Sequence, residues 1–319
     1  MFSAMLNSLG IDMGSSQVRI YQRDKVILEE ASTVAVGNIS GQGLGFGTKA
    51  LIRYHKEPAN NTLEWPVKNG VIADYDMTKD MLRFFINKSL HRSVSRPNVT
   101  VAIPVEISSV TRHALVDALF HGGVQSVYLI PSPAAAALGA GKDLNVPSST
   151  MSLVIGRDVS DLGVYGCGGI VVQEGMSFGG HDIDIGICRH ILDRYSMMIG
   201  LTQAEKLKSE VLSLTSNDSD RSFTVRGRRI GDGVEVVVEL SADEMSTVMQ
   251  HIMQPVVHLI RQAMRRCTPE MADDFLKNGL LLSGGSALLD GLRNWLSLEL
   301  GIPVSIPENP GNVVARGCY

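Results

Sequence analysis

Apolar and polar residues follow strand or helix periods along most of the chain, and two predicted strand pairs share one turn pattern. The first covers residues 9–27, with a glycine turn at Gly14 and a polar turn at Arg23-Asp24, and the second covers residues 153–172, with a glycine turn at Gly156. Turns of this kind can leave backbone N–H groups pointing into a concavity, which suits a phosphate group. The repeated hairpin therefore predicts two related phosphate-binding turns.

A third glycine turn follows an apolar strand near the C-terminus. Residues 280–282 are all leucine, and the turn Ser283-Gly284-Gly285-Ser286 follows them and opens a predicted helix. Two similar hairpins and this third turn suggest a nucleotide clamped between duplicated domains.

The remaining segments predict alternating helices and strands of an α/β layer. The predicted helices cover residues 78–90 (with Thr78 as the N-cap), 108–120, 133–141, 183–198, 242–266 and 287–300. The predicted strands cover residues 99–103, 127–130, 234–240 and 304–306. The small residues of the helix at 133–141 suit either a crossover between two domains or a tightly packed core helix.

Composition limits the class of protein. A chain of 319 residues can hold two domains with separate cores. The net charge of −4 gives no reason to expect nucleic-acid binding by electrostatics. Four scattered cysteines without a C-x-x-C pair favour reduced thiols in a cytosolic protein. No stretch approaches the roughly 20 apolar residues that a spanning helix needs.

Several short segments share their order and spacing with one known family. They are Asn69-Gly70-Val71-Ile72-Ala73-Asp74-Tyr75, residues 133–141, Met198-Ile199-Gly200, Ala204-Glu205-Lys206-Leu207-Lys208, residues 283–289, Gly301-Ile302-Pro303-Val304 and Ala315-Arg316-Gly317. Through them, nearly the whole chain resembles the bacterial actin homologues of the MreB and Mbl type. Any one of these segments is common, whereas their joint order is specific.

The resemblance implies an actin-like fold, with two related α/β domains around a nucleotide cleft and a smaller subdomain inserted into each. Domain I would comprise residues 1–142 and 312–319, with its small subdomain at about 33–67. Domain II would comprise residues 143–311, with its small subdomain at about 182–243.

The resemblance also implies a site for ATP or ADP with Mg²⁺. Asp12 would hold the metal through water, as this hard ion prefers. The implied nucleotide contacts are Asp12, Gly14, Ser15 and Ser16 in the first phosphate turn, Gly156, Arg157 and Asp158 in the second, Glu205 and Lys208 near the nucleoside, and Gly284, Gly285 and Ser286 under the adenosine. Ser286 stands where the family usually has a third glycine.

Two departures from the family pattern affect hydrolysis. Val154 stands where the family has an aspartate, and Thr111 stands where it has the glutamate that orients or deprotonates water. Loss of a positioned base typically lowers a rate by about 10² to 10⁴. Two compensations stay open, since Arg157 could grip a phosphate with its planar fork and Asp158 could replace the carboxylate. The alternative is that these two form ion pairs beside an emptied pocket.

The implied function is that of a cytoplasmic, cell-shape-determining filament protein with weak or absent ATP hydrolysis. Its partners would be copies of itself or a paralogous actin homologue, together with inner-membrane and cell-wall synthesis proteins, and no nucleic acid. Residues 90–96 match the family's membrane-inserting loop, and their basic character favours peripheral attachment through lipid charge. The alternatives are a non-polymerising adaptor that recruits a protein partner, and an active ATPase or sugar-kinase relative.

Overall fold

The computed structural model describes residues 8–90, 96–210, 212–215 and 222–319. The chain divides into two compact units. Unit 1 comprises Met1–Leu144 and Gly311–Tyr319, and unit 2 comprises Asn145–Pro310. Each unit has its own hydrophobic core.

Unit 1 is built on a five-stranded mixed sheet. The strands of the unit are β1 (Ser8–Met13), β2 (Gln17–Gln22), β3 (Lys25–Ala31), β4 (Val34–Gly37), β5 (Gly43–Phe46), β6 (Asn61–Glu64), β7 (Val67–Lys68), β8 (Val71–Ile72), β9 (Asn98–Ile103) and β10 (Ser126–Pro131). The large sheet has the order β10-β9-β1-β2-β3, in which β1 to β3 form an antiparallel meander and β9 and β10 run parallel to β1. Strands β4 to β6 and the pair β7-β8 form two smaller sheets.

The helices of unit 1 are α1 (Thr48–Lys56), α2 (Tyr75–Ser89), α3 (Ser109–His121), α4 (Ser132–Gly139) and α10 (Val313–Gly317). Helix α2 begins three residues before the predicted N-cap, because the Asp74 carboxylate accepts a hydrogen bond from the Met77 N–H at 2.8 Å. Thr78 lies inside the helix, where its buried hydroxyl donates to the Asp74 carbonyl at 2.6 Å. The predicted N-cap at Thr78 is therefore wrong.

The two faces of the large sheet of unit 1 carry different kinds of side chain at β1. Leu9, Ile11 and Met13 of β1 are buried in the core together with apolar residues of α2. Because side chains alternate along a strand, Gly10 and Asp12 lie on the opposite face. One face of β1 therefore packs the core, while the other carries an acid.

Glycines bring α4 and α10 into backbone contact within unit 1. A Cβ built on Gly139 would lie 1.9 Å from the Val313 carbonyl oxygen. A Cβ built on Gly317 would lie 1.7 Å from the Ala135 carbonyl oxygen. The small residues of the predicted 133–141 helix are explained by this close packing.

Unit 2 repeats the plan of the large sheet. Its strands are β11 (Thr150–Ile155), β12 (Ser160–Gly166), β13 (Gly169–Met176), β14 (Met197–Met198), β15 (Ser222–Arg229), β16 (Glu235–Ser241), β17 (Leu280–Ser283) and β18 (Val304–Ser305). The order β13-β12-β11-β17-β18 again joins an antiparallel meander to two strands that run parallel to its first member. Strands β14 to β16 form a smaller sheet. The strand order confirms the predicted relationship between the two hairpins.

The helices of unit 2 are α5 (Gly180–Tyr195), α6 (Leu201–Glu210), α7 (Ala242–Arg265), α8 (Pro269–Asn278) and α9 (Leu292–Leu300). The predicted helix at 287–300 is divided into a 3₁₀ turn at Gly285–Leu288 and α9. The division falls at Gly291, whose φ of +72° breaks the helical path. The predicted helix at 183–198 ends early, because Ser196 adopts a left-handed conformation and β14 follows.

No helix within the described ranges has the length and apolar content that crossing a membrane requires. Of the stretch 90–96 that was predicted to contact a membrane, residues 91–95 lie outside the described residues.

We expect Gly139→Ala to destabilise unit 1, because the new methyl group would overlap the Val313 carbonyl oxygen. Overpacking of this kind costs roughly 1–3 kcal/mol or more, so the calorimetric unfolding transition of unit 1 should move to lower temperature. Gly200→Ala is the matched control, since none of the described atoms lies within 4 Å of its built Cβ. Equal melting of both variants would contradict the backbone contact.

Candidate functional site

The first of the two predicted phosphate turns joins β1 to β2. It is closed by the Gly14 N–H, which donates to the Gln17 carbonyl at 3.1 Å. The Ser32 hydroxyl donates to the Gly14 carbonyl, and the Ser15 hydroxyl accepts from the Gly70 N–H at 3.0 Å. Ser16 is exposed at the tip. Hydrogen bonds from Ser32 and Gly70, in other segments of unit 1, therefore hold the turn in place.

Asp12 lies directly before this turn and faces an arginine. The β1–β2 register pairs Asp12 with Arg19, whose Nη1 lies 3.9 Å from Asp12 Oδ2. The other side of the guanidinium is bound by Glu29, which accepts from Nε at 3.0 Å. Burial raises the pKa of Asp12 to about 6, and the positive charge of Arg19 opposes this rise. Burial and the nearby Asp12 charge also raise the pKa of the Cys318 thiol.

The second turn joins β11 to β12 and has the same closing hydrogen bond. The Gly156 N–H donates to the Val159 carbonyl at 2.9 Å. Counting back from the two turn glycines, Val154 has the position that Asp12 has in the first hairpin. The register then places Asp161 opposite Val154, as Arg19 is opposite Asp12. Asp161 is 3% exposed, so an acid is buried across the strand pair from the valine.

The second turn rests against the start of α5 through its carbonyl groups. The Gly180 N–H donates to the Gly156 carbonyl at 2.9 Å, and the His181 N–H donates to the Arg157 carbonyl at 2.8 Å. These bonds satisfy two of the helix N–H groups that lack intrahelical partners. The Arg157 Nε lies 3.7 Å from Asp158 Oδ1, so these two side chains are close enough to form an ion pair.

Lys208 lies at the centre of a partly buried polar cluster in unit 2. Its Nζ donates to the Gly180 carbonyl at 2.7 Å and lies 2.8 Å from Asp184 Oδ1. Burial raises the pKa of Asp184, whereas Lys208 lowers it. Glu205 is exposed on the same helix as Lys208. Asp184 is not among the predicted site residues. It lies one helical turn after Gly180, so the two residues are on the same side of α5.

The third turn lies against the second. Gly284 has φ +89°, and a Cβ on it would lie 2.3 Å from the Ile155 carbonyl oxygen. The Ser286 hydroxyl donates to the Gly156 carbonyl at 3.2 Å. Around Gly285, none of the described atoms comes within 4 Å of a built Cβ. Unit 2 therefore places Gly156, Lys208 and Ser286 around Gly180, and Gly285 next to them has open space around it.

Thr111 lies in the first turn of α3 in unit 1. Its N–H donates to the Ser108 hydroxyl at 3.1 Å, and the two hydroxyl oxygens are 2.8 Å apart. This is the N-cap of α3, so the Thr111 side chain contributes to a helix start. A threonine hydroxyl cannot act as a base near neutral pH, so Thr111 cannot replace the family's glutamate in that role.

Asp12 fits Mg²⁺ as a single carboxylate, since this ion usually binds one or two carboxylates together with water and substrate phosphates. Within the described residues, no three or more His, Cys, Asp or Glu side chains are arranged to hold a metal. Mg²⁺ prefers oxygen ligands in octahedral geometry. Within unit 1, Asp12 has the Arg19 guanidinium beside it, and Glu29 binds that guanidinium on its other side.

A solved structure defines the class to which this fold belongs. The fold is similar to that of MreB5 of Spiroplasma citri bound to ADP, with a TM-score of 0.89 and 26% identity over 97% of this chain and 94% of that chain. The protein is therefore actin-like, and the predicted α/β actin-like fold is confirmed.

Sequence comparison narrows the class to a family. The family model described as MreB/Mbl protein matches residues 6–319. The chain is 33% identical to cell shape-determining protein Mbl of Bacillus subtilis (strain 168), over 97% of this chain and 93% of that protein. It is also 33% identical to cell shape-determining protein MreB of Escherichia coli (strain K12), over 98% and 92%. The chain belongs to the MreB/Mbl family, as the sequence segments predicted.

We expect Lys208→Met to destabilise unit 2, because it leaves the Asp184 carboxylate buried without its cation. The two side chains are 12% and 8% exposed, and breaking a buried pair typically costs about 3–5 kcal/mol. Urea unfolding can be followed by Trp295 fluorescence in a Trp65→Phe background, since the chain has two tryptophans, one in each unit.

The control is the double variant Asp184→Asn with Lys208→Met, which removes both charges and should recover much of the loss. A single Lys208→Met variant as stable as the double variant would contradict a buried ion pair.

Proposed function

We propose that this chain is a cytoskeletal, cell-shape-determining protein that binds ATP or ADP, assembles into filaments and hydrolyses ATP weakly or not at all. The observation that carries the proposal is the matched register of the two hairpins. Both turns keep the glycine and its closing hydrogen bond, whereas only the first hairpin has an acid at the matching position. This pattern supports a chain that keeps the shape of two phosphate-binding turns and has lost one of the acids used in hydrolysis.

Nucleotide binding is supported by the contents of both units. Gly14 and Ser16 lie at an accessible turn in unit 1. In unit 2, Glu205 lies on the same helix as Lys208, which donates to the Gly180 carbonyl, and Gly285 has open space around it. The similar MreB5 structure contains ADP. In unit 1, we propose that Gly14, Ser15 and Ser16 contact phosphate. In unit 2, we propose that Gly156, Arg157 and Asp158 contact phosphate and that the remaining family positions contact the nucleoside.

Weak hydrolysis is the expected consequence of Thr111 and Val154. Neither side chain can accept a proton from an attacking water near neutral pH, and neither carries a negative charge. Arg157 is a third exposed and lies beside Asp158, and its planar fork is a group that can bind phosphate.

We expect Glu205→Ala to weaken binding of ADP and of AMPPNP, as measured by titration calorimetry of the full chain. Glu205 is exposed, so its truncation should leave the unfolding temperature unchanged. Lys206→Ala is the matched control, because Lys206 is the next residue and is also exposed. Equal affinities of the two variants would contradict a nucleoside contact at Glu205.

We expect the double variant Thr111→Glu with Val154→Asp to release phosphate from ATP at least about tenfold faster than the wild-type chain, because a base and an acid are restored. His113→Glu combined with Val154→Asp is the control, since His113 adds an acid on the same helix at another position. Fast release by the wild-type chain, unchanged in the double variant, would overturn the proposal of weak hydrolysis.

Filament assembly distinguishes the proposal from an adaptor function. High-speed sedimentation with ADP, AMPPNP or no nucleotide should bring the wild-type chain into the pellet, and electron microscopy should show filaments. A chain that binds nucleotide yet stays in the supernatant at every concentration would favour the non-polymerising adaptor. Added paralogue that restores pelleting would favour co-assembly.

The cellular setting is proposed from the family alone. The curated relatives are cell shape-determining proteins. We propose a cytoplasmic protein, attached peripherally to the inner face of the membrane, whose partners are its own copies, a paralogous actin homologue and proteins of cell-wall synthesis.

A further inference from the structure

We propose that Asp184 is a positioning residue for the nucleotide, because it holds the Lys208 ammonium group at the place from which that group contacts the nucleoside. This inference rests on the proposed nucleotide binding. Asp184 touches no ligand in this arrangement and acts through Lys208 alone.

The pair joins two helices of unit 2. Lys208 lies on α6, which also carries Glu205, and Asp184 lies on α5, whose first N–H groups support the second turn. Lys208 Nζ lies 2.8 Å from Asp184 Oδ1 and donates to the Gly180 carbonyl at 2.7 Å. The lysine therefore connects the helix of the proposed nucleoside contacts to the helix that holds the second turn.

The ammonium group of Lys208 is enclosed on the protein side. Asp184 is 5% exposed. A Cβ built on Gly180 would lie 3.3 Å from Lys208 Nζ, so a larger residue there would crowd the ammonium group. Among the described residues, the partners of Nζ are the Gly180 carbonyl and Asp184. Because an ammonium group has three donor hydrogens, one N–H is left for a ligand.

The charge of Asp184 by itself opposes nucleotide binding. Glu205 and His181 are the other ionisable groups that act on Asp184 besides Lys208, so two acids lie near a single lysine. The phosphates of a nucleotide add further negative charge, and like charges repel. The benefit of Asp184 to binding therefore lies in the position that it gives to Lys208.

A fixed ammonium group binds better than a mobile one. Lysine carries its charge on a flexible four-carbon stem, and ordering such a stem when a ligand arrives lowers the affinity. Asp184 and the Gly180 carbonyl order the stem before the ligand binds. Loss of the carboxylate leaves the carbonyl as the only described partner of Nζ.

The test is titration calorimetry of the full chain with ADP and AMPPNP, at a temperature well below unfolding. We expect Asp184→Asn to bind each nucleotide about 3- to 10-fold more weakly than the wild-type chain, the change expected when one ordered side chain becomes mobile. Loss of a negative charge alone would instead tighten binding. In the Lys208→Met background, Asp184→Asn should no longer weaken binding, because the group that it positions is absent.

Asp184→Glu tests position without a change of charge. It keeps the carboxylate and moves it by one methylene group, so it should also bind both nucleotides more weakly than the wild-type chain. This variant provides the same readout where Asp184→Asn does not yield folded protein.

Glu244→Gln is the matched control for a loss of stability in unit 2. The Glu244 carboxylate accepts from the Tyr195 hydroxyl at 2.8 Å and lies 2.7 Å from His190 Nε2. The substitution removes an acid from another partly buried cluster, on α7. It should lower the unfolding temperature and leave the affinity for both nucleotides unchanged.

The outcomes separate this inference from the proposed function. Asp184→Asn or Asp184→Glu protein that binds as tightly as the wild-type chain, or more tightly, overturns the role of Asp184 and leaves nucleotide binding intact. Equal weakening by Asp184→Asn with and without Lys208 also overturns it, since the effect would not pass through the lysine. Absence of binding by the wild-type chain overturns the proposed nucleotide binding and this inference with it.

Discussion

The hydrogen bond that closes each glycine turn determines which side chains meet in the rest of the hairpin. Once the Gly14 N–H is bound to the Gln17 carbonyl, the strands on either side can pair in one register, which places Asp12 opposite Arg19. The equivalent bond at Gly156 places Val154 opposite Asp161. A slip of one residue would turn every side chain of the hairpin to the other face and would expose the core. The glycine turn therefore fixes both the core and the charges beside the phosphate position.

The same register yields different electrostatics in the two units. In unit 1 the Arg19 guanidinium lies between two carboxylates, those of Asp12 and Glu29. In unit 2 the acid has moved to the second strand and the first strand carries a valine. The positive charges near the unit 2 turn are Arg157, beside Asp158, and Lys208, which is bound to the Gly180 carbonyl and to Asp184. A nucleotide contact to Lys208 would have to share an ammonium group that the protein already binds, and three donor hydrogens make such sharing feasible.

Sequence patterns predicted the elements well because the periods of strands and helices are local. The alternation in β1 and the helical spacing in α2 depend on neighbouring residues alone. The errors arose at the ends of elements, where one contact or one backbone angle determines the boundary. Examples are the Asp74 cap of α2 and the left-handed Gly291 before α9. Within the site, the turn glycines could be identified from sequence. Arg19, Asp161 and Asp184 could not, because their significance depends on cross-strand register or on which helix packs beside them.

Neighbouring glycines of the third turn differ in whether the fold requires glycine there, and this difference bears on how a nucleotide site is recognised. Gly284 must be glycine for packing, since its φ is positive and a Cβ would overlap the Ile155 carbonyl oxygen. The requirement would exist in a chain that binds nothing. Around Gly285, none of the described atoms constrains a Cβ, and the backbone there does not demand glycine. Packing within the chain therefore explains the first glycine and leaves the second unexplained. Gly200 has equally open surroundings without a positive φ, so the space around Gly285 does not by itself indicate a ligand. The reason to propose a nucleotide contact at Gly285 is its place beside Ser286, which bonds to the second turn at Gly156.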